Sequence, residues 1–293
     1  MYELIQVSNN SYYVNCPAKI GLYRNEDNSV YLIDSGNDKE AGRKVRQILD
    51  KNGWTLRAIL NTHSNADHIG GNKYLQAQTG CKIFAPGIEA DFTRHPILEP
   101  SFLYGGYPPK ELRHKFLLAQ ESEAVDITSP DFPQEIEVIP LPGHFFDMVG
   151  YRMPDGVCFM ADCVSSAATL AKYRVGYIYD VKAYLETLDY IETLTAPMFV
   201  PAHTEAVESM QELAELNRAV VLEIIDVILN LCAEPVSFEN ALQKLFEHYG
   251  LAMSFEQYAL VGNTLRSYMS YLKDTGRLNA VIENSMIYWV AAK

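Results

Sequence analysis

His63, Asp67 and His68 lie in one short segment, Ile59-Leu60-Asn61-Thr62-His63-Ser64-Asn65-Ala66-Asp67-His68-Ile69-Gly70-Gly71. Imidazole and carboxylate are ligands that zinc, iron and manganese accept readily. The apolar run Ala58-Ile59-Leu60 ahead of them reads as a short buried strand, and Asn72 to Gln78 behind Gly70-Gly71 reads as a helix. The three groups therefore fall on a strand-to-helix loop, a place where a rigid scaffold commonly carries its chemistry. Three later segments repeat the arrangement with one group each. Leu141-Pro142-Gly143 ends in His144, Phe159-Met160-Ala161 in Asp162, and Val200-Pro201-Ala202 in His203. Apolar strands that each end in one metal-capable side chain would gather ligands along a single edge of a sheet structure.

The first of these segments resembles the metal-binding signature of the metallo-β-lactamase superfamily, His-x-His-x-Asp-His. His63, Asp67 and His68 match it, whereas Asn65 stands where the second His is expected. The segments around His144, Asp162 and His203 follow in the superfamily's order, so the resemblance covers roughly residues 1 to 205. It implies a first metal site built from His63, position 65 and His144. A second site would use Asp67, His68 and His203, with Asp162 bridging both. An Asn side chain offers only a neutral amide oxygen, a weak zinc ligand beside imidazole. Three arrangements follow: two metals with the Asn65 oxygen or a water filling the gap; one metal in the second site; or one metal held by His63, His144 and Asp162. Zinc, as one or two ions, is the expected cofactor. Iron and manganese also enter, because flavodiiron proteins of the superfamily carry Glu at this position and bind iron.

The resemblance implies metal-assisted hydrolysis, with Asp67 orienting the attacking water and collecting its proton. The substrate expected is a small molecule of the thioester, lactone or phosphodiester class. Two other readings stand beside it: a mononuclear-iron oxygenase of the persulfide dioxygenase type, and a non-catalytic metal-binding or regulatory protein with a degenerate first site. Cys163 is expected to be a small buried residue, and Asp147 a turn former or a partner of a ligand His. Tyr173, Tyr177 and Tyr179 either line the pocket mouth or share one face of a strand or loop. His95, His114 and His248 lack a partnered motif.

The elements that must position these groups can be read in outline. Tyr2-Val7, Ser11-Asn15, Ile20-Arg24 and Val30-Ile33 alternate with turn clusters and predict an antiparallel meander. Lys39 to Lys51 predicts a helix presenting Ala41, Val45, Ile48 and Leu49, and Lys82-Ala85 another strand. Residues 88–130 contain Pro96, Pro100, Gly105-Gly106 and Pro108-Pro109 among aromatics and predict an irregular insertion, either a binding loop or a dimerisation arm. Strands resume at Ile136-Pro140, Val149-Met153 and Val157-Met160, the last two joined by Pro154-Asp155-Gly156. Asp180 to Leu194 predicts a helix capped by Asp180, followed by the strand Met198-Val200. The expected class is α/β, an αββα sandwich over residues 1–205. Residues 206–293 would form a small helical unit: helices over 208–231, 238–249 and 255–273, then a hairpin around Asn284-Ser285. Helices followed by a hairpin resemble a winged helix.

Composition narrows the partners. The chain has 293 residues, 48% hydrophobic and 21% charged, with a formal net charge of -13. That charge argues against nucleic acid or an anionic membrane surface as a partner, and the tail lacks a basic stripe. Five cysteines without CxxC spacing suit reduced thiols, and the N-terminus shows no signal-peptide pattern, so a cytoplasmic location is expected. A homodimer is compatible with the insertion and the tail.

Overall fold

The structure, a computed structural model, describes residues 2–292. The meander forms as the alternation requires: β1 (Glu3–Gln6), β2 (Ser11–Asn15), β3 (Ile20–Arg24) and β4 (Ser29–Ile33) pair antiparallel in sequence. Helix α1 (Lys39–Asn52) follows. Asp38 caps it by accepting from the Glu40 and Ala41 N–H groups, and Gly53 ends it in the left-handed region. Strand β5 (Thr55–Leu60) lies parallel to β4, and β6 (Lys82–Ala85) parallel to β5. Between them stand the single turn α2 (Ala66–Ile69) and α3 (Asn72–Thr79).

The segment 88–130 is more regular than its prolines and glycines suggested. It contains α4 (Ile88–Arg94), α5 (Leu98–Tyr104), a 3₁₀ turn at Lys110–Leu112 and β7 (Ala124–Asp126), which adds parallel to β6. Pro100 is tolerated because it sits in the first turn of α5, where a backbone N–H has no partner within the helix. Gly105 then closes α5 at φ 80°.

The second sheet holds β8 (Glu137–Pro140), β9 (Val149–Arg152) and β10 (Cys158–Phe159), antiparallel in turn. After α6 (Ala167–Tyr173) and α7 (Val181–Ile191), β11 (Phe199–Val200) pairs parallel with β10. Asp180 caps α7 through the Ala183 N–H, as its position predicted. Helix α6 had no counterpart in the sequence reading. Helices α8 (Gln211–Leu231), α9 (Phe238–Tyr249) and α10 (Phe255–Asp274) follow. The strand β12 (Val236–Ser237) and the hairpin β13 (Leu278–Glu283) and β14 (Met286–Ala291) complete the chain as a third, antiparallel sheet.

Strand periodicity builds the layers, because successive side chains point to opposite faces. Tyr31, Ile33, Ala58 and Leu60 face inward and meet Tyr151, Phe159 and Val200 of the second sheet. Their neighbours Val30, Leu32 and Ile59 face outward and pack with Ala41, Val45 and Leu49 of α1. The outer face of the second sheet is covered by α7, α8, α9 and α10 in one continuous apolar cluster. This is the expected αββα sandwich. Among the described residues no helix is long and apolar enough to cross a membrane.

The strands β8, β10 and β11 run in one direction, so the loops that follow them leave the sandwich at one edge. The loop after β8 turns at Gly143, which has φ 119° and lies against the backbone N and Cα of Tyr184 at the start of α7. A Cβ there meets both a strained conformation and an immovable helix backbone. Gly143→Ala is therefore expected to cost about 3 kcal/mol and to displace His144. Urea unfolding of the variant measures the cost, and unchanged stability would show that this loop is free to move.

Candidate metal centre

The loop after β5 is buried along its length: Asn61, Thr62, His63 and Ser64 are all at most 1% exposed. Its polar backbone must therefore be satisfied internally. The Asn61 N–H donates to the Phe84 carbonyl at 2.8 Å, and the Thr62 carbonyl accepts from the Val149 N–H at 3.0 Å. The Tyr151 hydroxyl reaches the Asn61 carbonyl at 2.8 Å. Both sheets thus grip the loop that carries His63.

Asp34, at the end of β4, sits behind the loop. Its carboxylate accepts from the Thr62 N–H and from the Thr62 hydroxyl, each at 2.8 Å. The same oxygen that takes the hydroxyl also takes Nδ1 of His68 at 2.8 Å. Having given its one proton to Asp34, the Thr62 hydroxyl can only accept from Nδ1 of His63, 2.9 Å away. Each of these imidazoles is therefore protonated on Nδ1, and its Nε2 lone pair faces away from Asp34. Two more imidazoles follow the same rule. Nδ1 of His144 donates to the Tyr177 carbonyl at 3.1 Å, and Nδ1 of His203 to the Pro17 carbonyl at 2.8 Å.

The Nε2 atoms so oriented converge with two carboxylates. His63, His144 and Asp162 offer ligand atoms within 4.8 Å of one another, and so do Asp67, His68 and His203. Asp162 lies between the groups: one oxygen is 3.2 Å from His68 Nε2, and the other is 3.1 Å from His203 Nε2 and 3.6 Å from His144 Nε2. Asp67 approaches His203 at 3.4 Å. Asn65 directs its amide oxygen to within 3.2 Å of His144 Nε2. All seven positions singled out in the sequence come together.

The polar balance of this cluster calls for a cation. His63 Nε2 is buried without a hydrogen-bond partner among the described residues, and His68 Nε2 and Asp162 Oδ1, 3.2 Å apart, are buried without a well-aligned one. A buried polar atom left unpaired is costly and rare. The Asn65 oxygen and the His144 Nε2 lone pair face each other as two acceptors, an arrangement that suits an ion between them. Charge tells the same story. Burial keeps His63 neutral and holds His144 below the usual imidazole range. Burial also works against charge on His68 and His203, but Asp162 and Asp67 overcome it, raising His68 well above 6.5 and His203 to about 10. Burial opposes the charged forms of Asp67 and Asp162 as well. The neighbouring imidazoles prevail and hold both carboxylates ionised. Protons on His68 and His203 thus occupy, electrostatically, the place of a divalent ion.

Three acids that the sequence reading passed over brace the cluster. One is Asp34. The second is Glu99 of α5, 4% exposed, which accepts from Asn65 Nδ2 at 2.9 Å. Burial, resisted by that hydrogen bond, raises its pKa well above the usual carboxylate range. The third is Glu89 of α4, fully buried, which accepts from the Ser64 N–H at 3.0 Å and its hydroxyl at 2.5 Å, and from the Asp147 N–H at 2.9 Å. Burial raises its pKa to about 7. Asp34-Ser35-Gly36 carried a signal, an acid at a strand end. Glu89 and Glu99 carried none beyond acidity in aromatic surroundings.

Other residues fall out as follows. Cys163 is buried, and Asp147 accepts from the Ile88 N–H at 3.0 Å, binding the two loops rather than an imidazole. The tyrosine series does not share a face. Tyr173 ends α6 exposed, Tyr177 sets its ring edge-on to His144, and Tyr179 stacks on Phe146 at 4.1 Å. Phe92 of α4 and Phe102 of α5 join Phe145 and Phe146 in an aromatic wall beside His144. His95 ends α4, His114 lies near Glu256, and His248 packs on Tyr249, all remote from this cluster.

A sequence profile of the Metallo-beta-lactamase superfamily matches residues 13–203. A hydroxyacylglutathione hydrolase of Maricaulis maris is 34% identical over 144 residues, 46% of this chain and 47% of that protein. Another, of Methylobacillus flagellatus, is 28% identical over 213 residues, 66% of this chain and 75% of that protein. The Maricaulis relative and one from Methylococcus capsulatus are matched over 47% and 31% of their own lengths, less than half of either. A beta-lactamase domain protein from Burkholderia ambifaria superposes with TM-score 0.75 at 18% identity, covering 99% of this chain and 94% of that one. A metallo-beta-lactamase family protein from Thermus thermophilus gives 0.70 at 18% identity, covering 100% and 98%. At that identity the superpositions speak to the fold.

The raised His203 has a definite pH signature. Its pKa is about 10 in the folded chain against 6.5 unfolded. Its contribution to stability is therefore complete below pH 6.5 and is lost as pH rises toward about 10. A divalent ion must expel that proton, so its apparent affinity strengthens across the same window. Thermal unfolding of metal-free protein should weaken from pH 7 to 10 while zinc affinity rises. A flat zinc affinity over that range would contradict the assignment.

Proposed function

The chain belongs to the metallo-beta-lactamase superfamily, and on that premise we propose that it is a dizinc hydrolase of a small thioester. The observation that carries this reading is the convergence of four Nε2 atoms and two ionised carboxylates, every Nδ1 being held by an acceptor outside the cluster. Imidazole and carboxylate in this number suit zinc, the softer sulfur ligands being absent. Asp67, His68, His203 and Asp162 would hold the tighter ion. His63, His144 and Asp162 would hold the weaker one, with the Asn65 oxygen as a neutral donor. The hydrogen bond from Asn65 Nδ2 to Glu99 supports that role, since it turns the amide oxygen toward His144.

Zinc in these positions supplies Lewis acidity, lowering the pKa of a water and polarising a carbonyl. The chain's own groups do the rest. Asp67, ionised and with a side chain 36% exposed, orients the attacking water and accepts its proton. Water adds to the thioester carbonyl, the carbon–sulfur bond breaks, the acyl group leaves as a carboxylic acid, and the thiol leaves carrying a proton. The aromatic wall of Phe92, Phe102, Phe145 and Phe146 bounds the site on the His144 side. The hydroxyacylglutathione in the relatives' name is a thioester, which supports that class over lactones and phosphodiesters.

The test is zinc titration together with release of free thiol from S-acylglutathiones. Two zinc equivalents of unequal affinity are expected, with turnover that chelation abolishes and zinc restores. Asn65→His should tighten the weaker equivalent by about tenfold or more. Fully loaded protein that releases no thiol would overturn the thioester reading.

A further inference from the structure

A second feature begins at the metal cluster and leads away from it. A cavity of about 70 Å³ is lined by His144 and Asp162 and continues between Leu170, Val221, Ile224 and Tyr268. These residues belong to α6, α8 and α10, so the void runs from the sheet edge into the helices that cover the second sheet. Tyr268 is fully buried. Its hydroxyl has no hydrogen-bond partner among the described residues, although the nearby Tyr184 hydroxyl reaches Asn217 Oδ1 at 3.3 Å. A buried hydroxyl without a partner costs stability, and this one lies on a void whose lining is part apolar and part polar, with Ser165 and Asn217 beside it. The void is on the order of five times what one water needs, too small for a leaving group the size of glutathione.

We propose that this cavity is the acyl pocket: it receives the acyl group of a thioester whose carbonyl lies at the metal cluster, and Tyr268 recognises a polar group near the far end of that acyl chain. The proposal rests on the thioester reading for its choice of substrate. Leu170, Val221 and Ile224 take the apolar body, and the unpaired Tyr268 hydroxyl selects against chains that cannot pair with it. The favoured acyl group has roughly four to six heavy atoms, by the size of the void, and ends in a hydroxyl or carbonyl. Longer chains exceed its volume of about 70 Å³.

Zinc-loaded protein is assayed on S-acetyl-, S-butanoyl-, S-octanoyl- and S-(4-hydroxybutanoyl)-glutathione, each rate corrected for enzyme-free thiol release, which the 4-hydroxybutanoyl thioester undergoes by closing on its own hydroxyl to the lactone. The 4-hydroxybutanoyl thioester should lead, and the octanoyl should be poor. Tyr268→Phe removes a hydroxyl that bonds to nothing in the protein, so folding should be retained. It should reduce the preference for 4-hydroxybutanoyl over butanoyl by about fivefold, the effect of one neutral hydrogen bond. Val221→Phe fills the void and should shift the butanoyl-to-acetyl ratio of kcat/KM at least about tenfold toward acetyl. Turnover with ratios unchanged in both variants would overturn the proposal and leave the void to ordered water. If no thioester is cleaved, the thioester reading fails and calorimetry with 4-hydroxybutanoate and octanoate decides the pocket. Binding of the former to the wild type, weakened by both substitutions, supports it, and equal binding of either acid to all three proteins overturns it.

Discussion

The carboxylate of Asp34 sets the terms for everything around it. A buried acid needs several donors to remain tolerable, and here they come from the Thr62 N–H, the Thr62 hydroxyl and His68 Nδ1. Because the hydroxyl has a single proton, its bond to Asp34 dictates the tautomer of His63 as well. One residue at the end of β4 thus fixes the direction of two imidazoles on the neighbouring strand's loop. Acceptors of this kind behind ligand imidazoles fix ring orientation and raise basicity. The Tyr177 and Pro17 carbonyls do the same for His144 and His203, so that all four rings turn their free nitrogens to one point.

Asn65 acquires its meaning from the same logic. By residue type alone it is a damaged position, a neutral amide in place of an imidazole. In the folded chain its NH₂ is tied to Glu99, so that its oxygen is presented toward His144. Glu99 comes from α5, in a stretch whose prolines and glycines suggested no regular structure. That stretch supplies Glu89 and Glu99 beneath the ligand loop and Phe92 and Phe102 beside it. It also packs Leu103, Leu112 and Leu117 against Ala259 of α10. The insertion therefore belongs to the wall of the site, and it links the ligand loop to the C-terminal helices.

The sandwich explains why these groups can meet at all. Period-two alternation buries both faces of the large sheet, which leaves only the strand ends free for chemistry. Loops leaving parallel-running strands open on one edge: those after β8, β10 and β11 each bring one group of the cluster, and the loop after β5 brings four. The backbone is held there in uncommon conformations. Asp34 and Ala161, next to Asp162, both adopt positive φ, 61° and 50°. Strain of this sort persists where surrounding packing over-determines it. The second sheet's covering helices then close over the edge and leave a void reaching back to His144 and Asp162.

Much of this was legible in the residues themselves. The meander, the helix over 39–52, the hairpin at Pro154-Asp155-Gly156 and the three long C-terminal helices follow from periodicity and caps, which are local properties. The seven candidate positions were legible too: His144, Asp162 and His203 each follow an apolar run, and His63, Asn65, Asp67 and His68 share the one polar segment after β5. What the chain order could not reveal is partnership across the fold. Asp34 and His68 are 34 positions apart, Asn65 and Glu99 likewise, and Ser64 and Glu89 are 25 apart. No pattern in a linear chain marks two such residues as neighbours. A buried acid and an exposed one look alike until packing removes the water from one of them. The same holds for α4, α5 and α6, short segments that tertiary contacts stabilise against weak local signals. The sequence by itself determined the candidate ligands and the layers; only the folded structure decided which acids turn those side chains inward, and which void opens beside them.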